Sequence, residues 1–317
     1  MSGARLNADL WVYEYISPHD IYCHGVSEVL ASKKTEFQDM HIVSSGLYGK
    51  ALVLDGKWQS CTGEEFLYHE PLVHVACVNH GAPENVLVLG GGEGATVREA
   101  LKWKSVKRVV MVDIDPIVVE ACKEHLPEMH QGAFDDPRTE LVVGDALVYL
   151  DESVGQWDVI ISDLSDPIAE GPSYALFTKE YFEKCRRALK AGGYFVVQAG
   201  PVAPPRKDLH VGLVNTVKAV FPNVAHFITP IAAYGSPWGY VMGSAAPIEA
   251  NPDPAAVDEL LAAKTTGNFL MFDGLTLRGL MSPPKYLRDA VARETRVYTM
   301  DTPPQFEADA MGGSAKS

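Results

Sequence analysis

The stretch Val86-Leu87-Val88-Leu89-Gly90-Gly91-Gly92-Glu93-Gly94-Ala95-Thr96 constrains this chain more than any other. Its four leading β-type apolar residues fit a strand buried on both faces. The glycines that follow permit a tight turn and a close approach of ligand to backbone. From Ala95 to Leu101 the residues are helix formers with apolar positions at helical spacing. Strand, glycine turn and helix N-terminus in that order predict a nucleotide-type pocket at the head of an α/β sheet. Gly90-x-Gly92-x-x-Ala95 also satisfies the loose dinucleotide pattern, and a purely structural turn has the same outline. The residues downstream decide between these.

After this stretch, strand-like and helix-like runs alternate. Strands are expected at Arg108–Asp113, Leu141–Val143, Asp158–Ser162, Tyr194–Gln198, Val224–Thr229 and Gly239–Gly243. Helices are expected from Pro116, over Lys179–Leu189, near Leu209–Val220, near Pro254–Ala263 and near Pro284–Glu294. That alternation predicts a doubly wound Rossmann-type α/β sheet. Residues 1–80 read differently, as short strands at Leu10–Ile16, Tyr22–Leu30, Asp39–Ser44 and Ala51–Gly56. They predict a small N-terminal antiparallel β domain, followed by a helical stretch Glu64–Val75 that Pro71 should kink or open. Asn79–Asn85 is read as the linker, which divides the chain into 1–80 and 81–317, and the tail from Pro303 is expected to be disordered.

Every expected strand end on the ligand-bearing side carries an acid. Strand one ends in Glu93, strand two in Asp113, strand three in Asp145, and strand four in Asp163 with Asp166 close behind. Each alone could cap a helix or shape a turn. Five together repel one another, and a cationic ligand would offset that repulsion. The net charge of −14 points the same way, favouring a cationic substrate over nucleic acid. A pyrophosphate cofactor fits badly, because Glu93 would face its phosphates. An adenosine ligand with a sulfonium fits better: Asp113 on the ribose hydroxyls, Asp145 on the adenine amino group, Glu93 on an ammonium tail. The carboxylate of Glu93 would repel the carboxylate of ordinary S-adenosylmethionine and so favour the decarboxylated form.

The five cysteines are dispersed without a CxxC pair, and the ten histidines show no metal-ligand spacing. Reduced thiols, a cytoplasmic location and no metal are expected. No apolar run reaches the roughly 18 residues of a membrane span, and Met1–Asp9 has no signal-peptide apolar core.

Seven motifs together resemble one family, the polyamine aminopropyltransferases, which include spermidine and thermospermine synthases. They are Phe37-Gln38-Asp39, Tyr48-Gly49-Lys50-x-Leu52-x-Leu54-Asp55-Gly56, Glu65-Phe66-x-Tyr68-His69-Glu70, Gly90-Gly91-Gly92-Glu93-Gly94, Asp113-Ile114-Asp115, Phe134-Asp135-Asp136-Pro137-Arg138 and Asp163-Leu164-Ser165-Asp166-Pro167. The resemblance runs from about Phe37 to Ser244. It implies a methyltransferase-like Rossmann domain beneath the β domain, assembly as a homodimer or homotetramer, and a polyamine and decarboxylated S-adenosylmethionine as substrates. It implies no cofactor, the sulfonium compound being a co-substrate. Gln38, His69, Glu93, Asp113, Asp145 and Ala146 would line the donor site. Tyr68, Asp163, Asp166 and Tyr234 would line the acceptor site, under a gatekeeping loop at 163–178. Two places depart from the family. Cys61-Thr62-Gly63-Glu64-Glu65 lacks the arginine of the usual Thr-Glu-Arg-Asp-Glu run, and Gln198-Ala199-Gly200-Pro201 with Trp238-Gly239-Tyr240-Val241-Met242 resembles the thermospermine-synthase branch.

The implied reaction needs a neutral amine, whereas alkylamines are protonated at neutral pH. Asp163 is expected to take the proton, Tyr68 to orient the amine and Asp166 to hold it. Putrescine is the expected acceptor, with spermidine and agmatine as alternatives. A methyltransferase, a dehydrogenase and a non-catalytic polyamine sensor are the rival readings.

Overall fold

The structure, a computed structural model, describes residues 8–17, 19–167 and 173–304. Among these the strands form sheets of two, four and seven. Strands β1 (Leu10–Ser17) and β2 (Asp20–Val26) pair as a hairpin. Strands β3 (Glu28–Lys34), β4 (Asp39–Ser45), β5 (Gly49–Leu54) and β6 (Lys57–Cys61) form an antiparallel sheet in chain order. The stretch expected as one strand over Tyr22–Leu30 is therefore two strands in different sheets. Ser27 is where the chain changes partner, since its N–H and its hydroxyl both donate to Ser44 O. Lys57 begins β6. Asp55 and Gly56 both adopt positive φ, 48° and 72°, which makes a two-residue hairpin loop.

Helix α1 (Phe66–His80) continues through Pro71, with every residue from Tyr68 to Cys77 buried. It packs on the seven-stranded sheet, whose elements follow in turn: β7 (Asn85–Gly90), α2 (Ala95–Leu101), β8 (Arg108–Asp113), α3 (Pro116–His125), α4 (Pro127–His130), β9 (Thr139–Val143), α5 (Ala146–Asp151), β10 (Trp157–Asp163), α6 (Lys179–Ala188), β11 (Leu189–Pro201), α7 (Asp208–Lys218), β12 (Asn223–Ile231) and β13 (Ser236–Ser244). The strand order is β9-β8-β7-β10-β11-β13-β12. The first five are parallel, β13 runs antiparallel to them and β12, antiparallel to β13, returns to their direction, as in a methyltransferase-like Rossmann sheet.

Residue alternation along the central strands builds a core on each face. Val86, Val88, Val109, Met111, Val159 and Ile161 belong to one, together with α1. Leu87, Leu89, Val110, Val112 and Ile160 belong to the other, with Phe182 of α6 and Leu213 of α7. The four-stranded sheet docks through Met40, Ile42 and Leu52 onto Val118, Cys122 and Met129. That contact holds the small sheet above the glycine turn.

Helices α8 (Pro254–Lys264), α9 (Gly274–Leu280) and α10 (Lys285–Arg293) complete the fold. The segment between α8 and α9 is anchored by one side chain of α1. The Glu70 carboxylate accepts the backbone N–H groups of Leu270, Met271 and Phe272 at 2.7–2.8 Å. Among the described residues no helix is long and apolar enough to cross a membrane. The tail expected to be disordered lies, from residue 305 on, outside the described residues.

Candidate active site

Strands β8 and β10 flank β7 on opposite sides, so the sheet's switch point lies at the carboxyl end of β7. The glycine turn sits there and is built for close approach. Gly90 has φ +81°, and a Cβ on it would fall 2.1 Å from Asp163 O. Gly91 N–H donates to that same carbonyl at 2.9 Å, which ties the turn to the end of β10.

A crevice opens above this point. Its walls include Gln38, Tyr68, Glu93, Asp113, Asp145, Ala146, Asp163, Asp166 and Tyr234. The five acids expected at strand ends thus share one cavity. His69 is the exception among the expected site residues. It is fully buried and stands behind Glu93, which it reaches with Nε2 at 3.0 Å. The expected loop over the site is described at 163–167 and 173–178, and residues 168–172 lie outside the described residues.

Asp163 is held on both oxygens. Tyr68 donates its hydroxyl to Oδ1 at 2.7 Å, and Thr96 donates to Oδ2 at 2.5 Å. Burial, and next the charge of Glu93, raise the Asp163 carboxyl above the usual range, against the opposing pull of His69 and of these two bonds. Burial pushes the Tyr68 hydroxyl well above its ordinary range, so it remains a donor at any working pH. Asp166 is likewise raised by burial, while Gln198 Nε2 donates to its Oδ1 at 3.2 Å. Gln198 also binds Leu164 O at 2.8 Å and accepts from Trp238 Nε1 at 3.0 Å. Tyr234 turns its hydroxyl away to Gln59 O and offers the cavity its ring, 6.3 Å from that of Tyr68.

On the other side, Asp113 accepts from Asp115 N at 2.9 Å and is pushed up to about 6, first by burial and then by the acids around it. Asp115 takes Gln38 Nε2 at 3.1 Å and Thr35 Oγ at 2.6 Å, and caps α3. Gln38 is thereby oriented from the small sheet. Asp145 caps α5, a helix the sequence reading did not expect, through Leu147 N at 2.7 Å.

Glu93 behaves differently from its neighbours. Burial would raise it, but the bond and charge of His69 outweigh this and bring it below the usual range. Each ring nitrogen of His69 faces a carboxylate, Glu93 at 3.0 Å and Glu65 at 2.8 Å. Ionised carboxylates only accept, so this pairing favours a proton on both nitrogens. Although burial opposes the charge, the two carboxylates raise His69 to about 10. His69, Glu93 and Asp163 offer atoms within 4.8 Å of one another, a spacing that could suit a metal ion. A metal there would have to displace a proton from His69 Nε2, which now faces Glu93.

Several lining residues were not singled out from sequence. Glu14 of β1 accepts Trp58 N at 2.7 Å and is raised to about 7, chiefly by burial. It lies at the Asp166 end of the crevice with Lys57 and Arg206. Nothing in the local pattern of β1 distinguishes Glu14 from a solvent-facing residue. Thr96 was in view only as part of the glycine stretch, and Gln198 and Trp238 only as marks of a family branch.

The Spermine/spermidine synthase domain model matches residues 65–251, and the Spermidine synthase tetramerisation domain model matches residues 10–61. A polyamine aminopropyltransferase of Synechococcus sp. (strain JA-2-3B'a(2-13)) is 50% identical over 304 residues, covering 94% of this chain and 97% of its own. One from Sulfolobus acidocaldarius is 38% identical over 294 residues, covering 92% and 97%. Among solved structures, a spermidine synthase in complex with the transition-state analogue AdoDATO superposes with TM-score 0.82 at 28% identity, over 90% of this chain and 96% of that one. Spermidine synthase from Thermotoga maritima gives TM-score 0.81 at 28% identity, over 90% and 95%. The acid-lined crevice therefore sits in a chain that belongs to the spermine/spermidine synthase family of polyamine aminopropyltransferases.

Proposed function

We propose that this enzyme moves the aminopropyl group of decarboxylated S-adenosylmethionine to putrescine, releasing 5′-methylthioadenosine and spermidine. The observation that carries this reading is Asp163, fixed between Tyr68 and Thr96 at the switch point with Glu93 beside it. Asp113 is assigned to the ribose hydroxyls, and Asp145 with Ala146 to the adenine. Gln38 lies on this donor wall, and Glu93 receives the ammonium of the aminopropyl group. His69 serves the donor site through Glu93. The amine lies between Asp163, Asp166 and the rings of Tyr68 and Tyr234.

Asp163 accepts a proton from the acceptor ammonium, and a carboxyl raised above its usual range is a stronger base than an ordinary one. The nitrogen lone pair attacks the methylene carbon bonded to sulfur. The carbon–sulfur bond breaks and its electron pair stays on sulfur, which turns from sulfonium into a neutral thioether. The chain's contribution is alignment, charge placement and exclusion of water. The reaction as written calls for no metal or cofactor.

Spermidine as acceptor is the second reading, favoured by the Trp238–Gln198–Asp166 chain of hydrogen bonds, in which the stretches of Trp238 and Gln198 resemble the thermospermine branch. Agmatine is the third. A non-catalytic polyamine sensor would have no use for a hydroxyl-bonded carboxylate at the reacting point.

The N-terminal hairpin leaves Leu10, Tyr13, Tyr15 and Ile21 more than half exposed, at 51–56%, which supports a homodimer or homotetramer built through this region. Five free cysteines, four of them buried, support a reducing compartment, the cytoplasm.

The test is a purified-enzyme assay with decarboxylated S-adenosylmethionine and putrescine, spermidine or agmatine in parallel, reading methylthioadenosine and the polyamine formed. Fastest turnover with putrescine is expected. Fastest turnover with spermidine moves the enzyme to the thermospermine reading. No methylthioadenosine with any amine overturns the proposal.

A further inference from the structure

A row of buried charges runs back from Glu93 through two helices. Glu93 accepts from His69 Nε2 at 3.0 Å, and His69 Nδ1 donates to Glu65 at 2.8 Å. Glu65 also accepts from Arg98 at 2.9 Å. The guanidinium of Arg98 continues to Glu99 at 2.8 Å, and Glu99 takes Lys102 at 2.8 Å. From the crevice inward the signs alternate: minus, plus, minus, plus, minus, plus. Side-chain exposure along the row never exceeds 14%. Charges this deeply buried persist only when paired and hydrogen-bonded, and each here has a partner of opposite sign on at least one side.

We propose that Glu65 and Arg98 are positioning residues. They hold His69 as a cation against Glu93, so that the negative charge of the rim settles on Glu93 and the neighbouring Asp163 carboxyl is left free to exchange a proton. This rests on the reading of the site as an aminopropyltransferase.

The inference follows from what surrounds Glu93. The titratable groups facing it from other elements include Asp113 at the end of β8, Asp163 at the end of β10, Cys122 of α3 and Tyr234 after β12, all of them acids. Acids crowded into one cavity share protons, and the one nearest a cation keeps its charge. The His69 ring touches Glu93 and not Asp163. Geometry therefore sorts the three: Glu93 is lowered, while Asp163 and Asp113 are raised. A carboxylate fixed in its ionised form can anchor an ammonium, and one that titrates can serve as a base. Arg98, one turn into α2, supplies a guanidinium to the start of α1 from another element.

The test reads the charge of His69 directly. In full-length enzyme labelled at the histidine ring carbons, NMR should show the His69 ring as an imidazolium throughout pH 6–9. The signal is assigned by its loss in His69→Gln. In Glu65→Gln the ring midpoint should fall by about one pH unit or more, into the titrated range. In His69→Gln, loss of the cation should move the acid limb of kcat/KM upward by about one pH unit. Binding of 5′-methylthioadenosine, which lacks the ammonium, should change less than about threefold, the effect of roughly half a kcal/mol. A neutral His69 ring at pH 7 in the unaltered enzyme overturns the proposal, and this arm needs no variant to fold. An unmoved midpoint in Glu65→Gln, or an unmoved acid limb in an active His69→Gln, overturns it as well. If the unaltered enzyme turns over no amine, only the functional reading falls, because the ring signal still decides the charge row.

Discussion

Tyr68 and Asp163 meet across the switch point of the sheet at 2.7 Å, with the phenol donating to a carboxylate whose other oxygen is taken by Thr96. Neither oxygen can rotate away, so the carboxylate presents a fixed edge to the crevice. If this edge takes the proton of the attacking amine, Asp163→Asn should lower turnover by about 10²-fold or more while the enzyme still binds methylthioadenosine. Stopped assays of methylthioadenosine release decide this, and near-normal turnover removes Asp163 from the role of base.

Tyr68→Phe removes the hydroxyl bond that favours the ionised carboxylate of Asp163. The Asp163 range should rise further, and the acid limb of the pH–rate profile should shift upward. Turnover on the acid side should fall by up to about tenfold per displaced pKa unit, and the loss should shrink as the pH is raised. A loss that is constant from pH 7 to 9 would assign Tyr68 to orientation alone.

Glu93→Gln keeps the shape of the side chain and removes its charge. Calorimetry should show decarboxylated S-adenosylmethionine losing about tenfold or more in affinity, the scale of one charge-assisted bond. Methylthioadenosine should be nearly unaffected. Equal losses for the two would mean that Glu93 does not receive the ammonium.

Asp113 links stability to pH in a direction opposite to most carboxylates. Its folded range, about 6, lies above its unfolded value of 3.8. Between these values the folded state binds the extra proton, so stability falls as pH rises through this window. Asp113→Asn should therefore stabilise the ligand-free protein at pH 8, by on the order of 2–3 kcal/mol at most, and leave it unchanged at pH 4. Thermal melts of both proteins at the two pH values check the sign. If Asp113 holds the ribose hydroxyls as proposed, the variant should also bind the donor more weakly.

Gln198→Ala cuts the bonds from Gln198 to Asp166, to Leu164 O and to Trp238. KM for the amine should rise about tenfold, in line with freeing one charged contact, while KM for the sulfonium donor should stay within a factor of two or so. A matching rise in both would show that Gln198 supports the whole crevice.

The strand-end acids were legible because their signal is local. A carboxylate immediately after an apolar β run can be placed on the ligand side of a parallel sheet without knowing any long-range contact. Asp113, Asp145 and Asp163 needed nothing more, and all lie in one crevice. His69 was not legible in the same way. Which wall a buried helix residue meets depends on how α1 rolls against the sheet, and the roll placed it behind Glu93. The break at Ser27 was equally hidden, because both halves are ordinary β sequence and only the pairing with Ser44 separates them. The link from Arg98 to Glu65 joins two helices through tertiary packing, which no local pattern reports. Glu14 reaches the crevice only because the N-terminal hairpin folds over it.

Three consecutive residues of α1 do three different jobs. Tyr68 grips Asp163, His69 grips Glu93, and Glu70 receives the backbone of Leu270 to Phe272. Successive helix residues are set about 100° apart, so none can be re-aimed alone. That single turn is a rigid three-way joint between Asp163, Glu93 and a segment beyond the matched synthase domain. Inserting or deleting one residue near 270 would move the three N–H groups off the carboxylate. The disturbance would arrive at Asp163 and Glu93 as a twist of α1, which ties the alignment of the crevice to a C-terminal segment that is not among its lining residues.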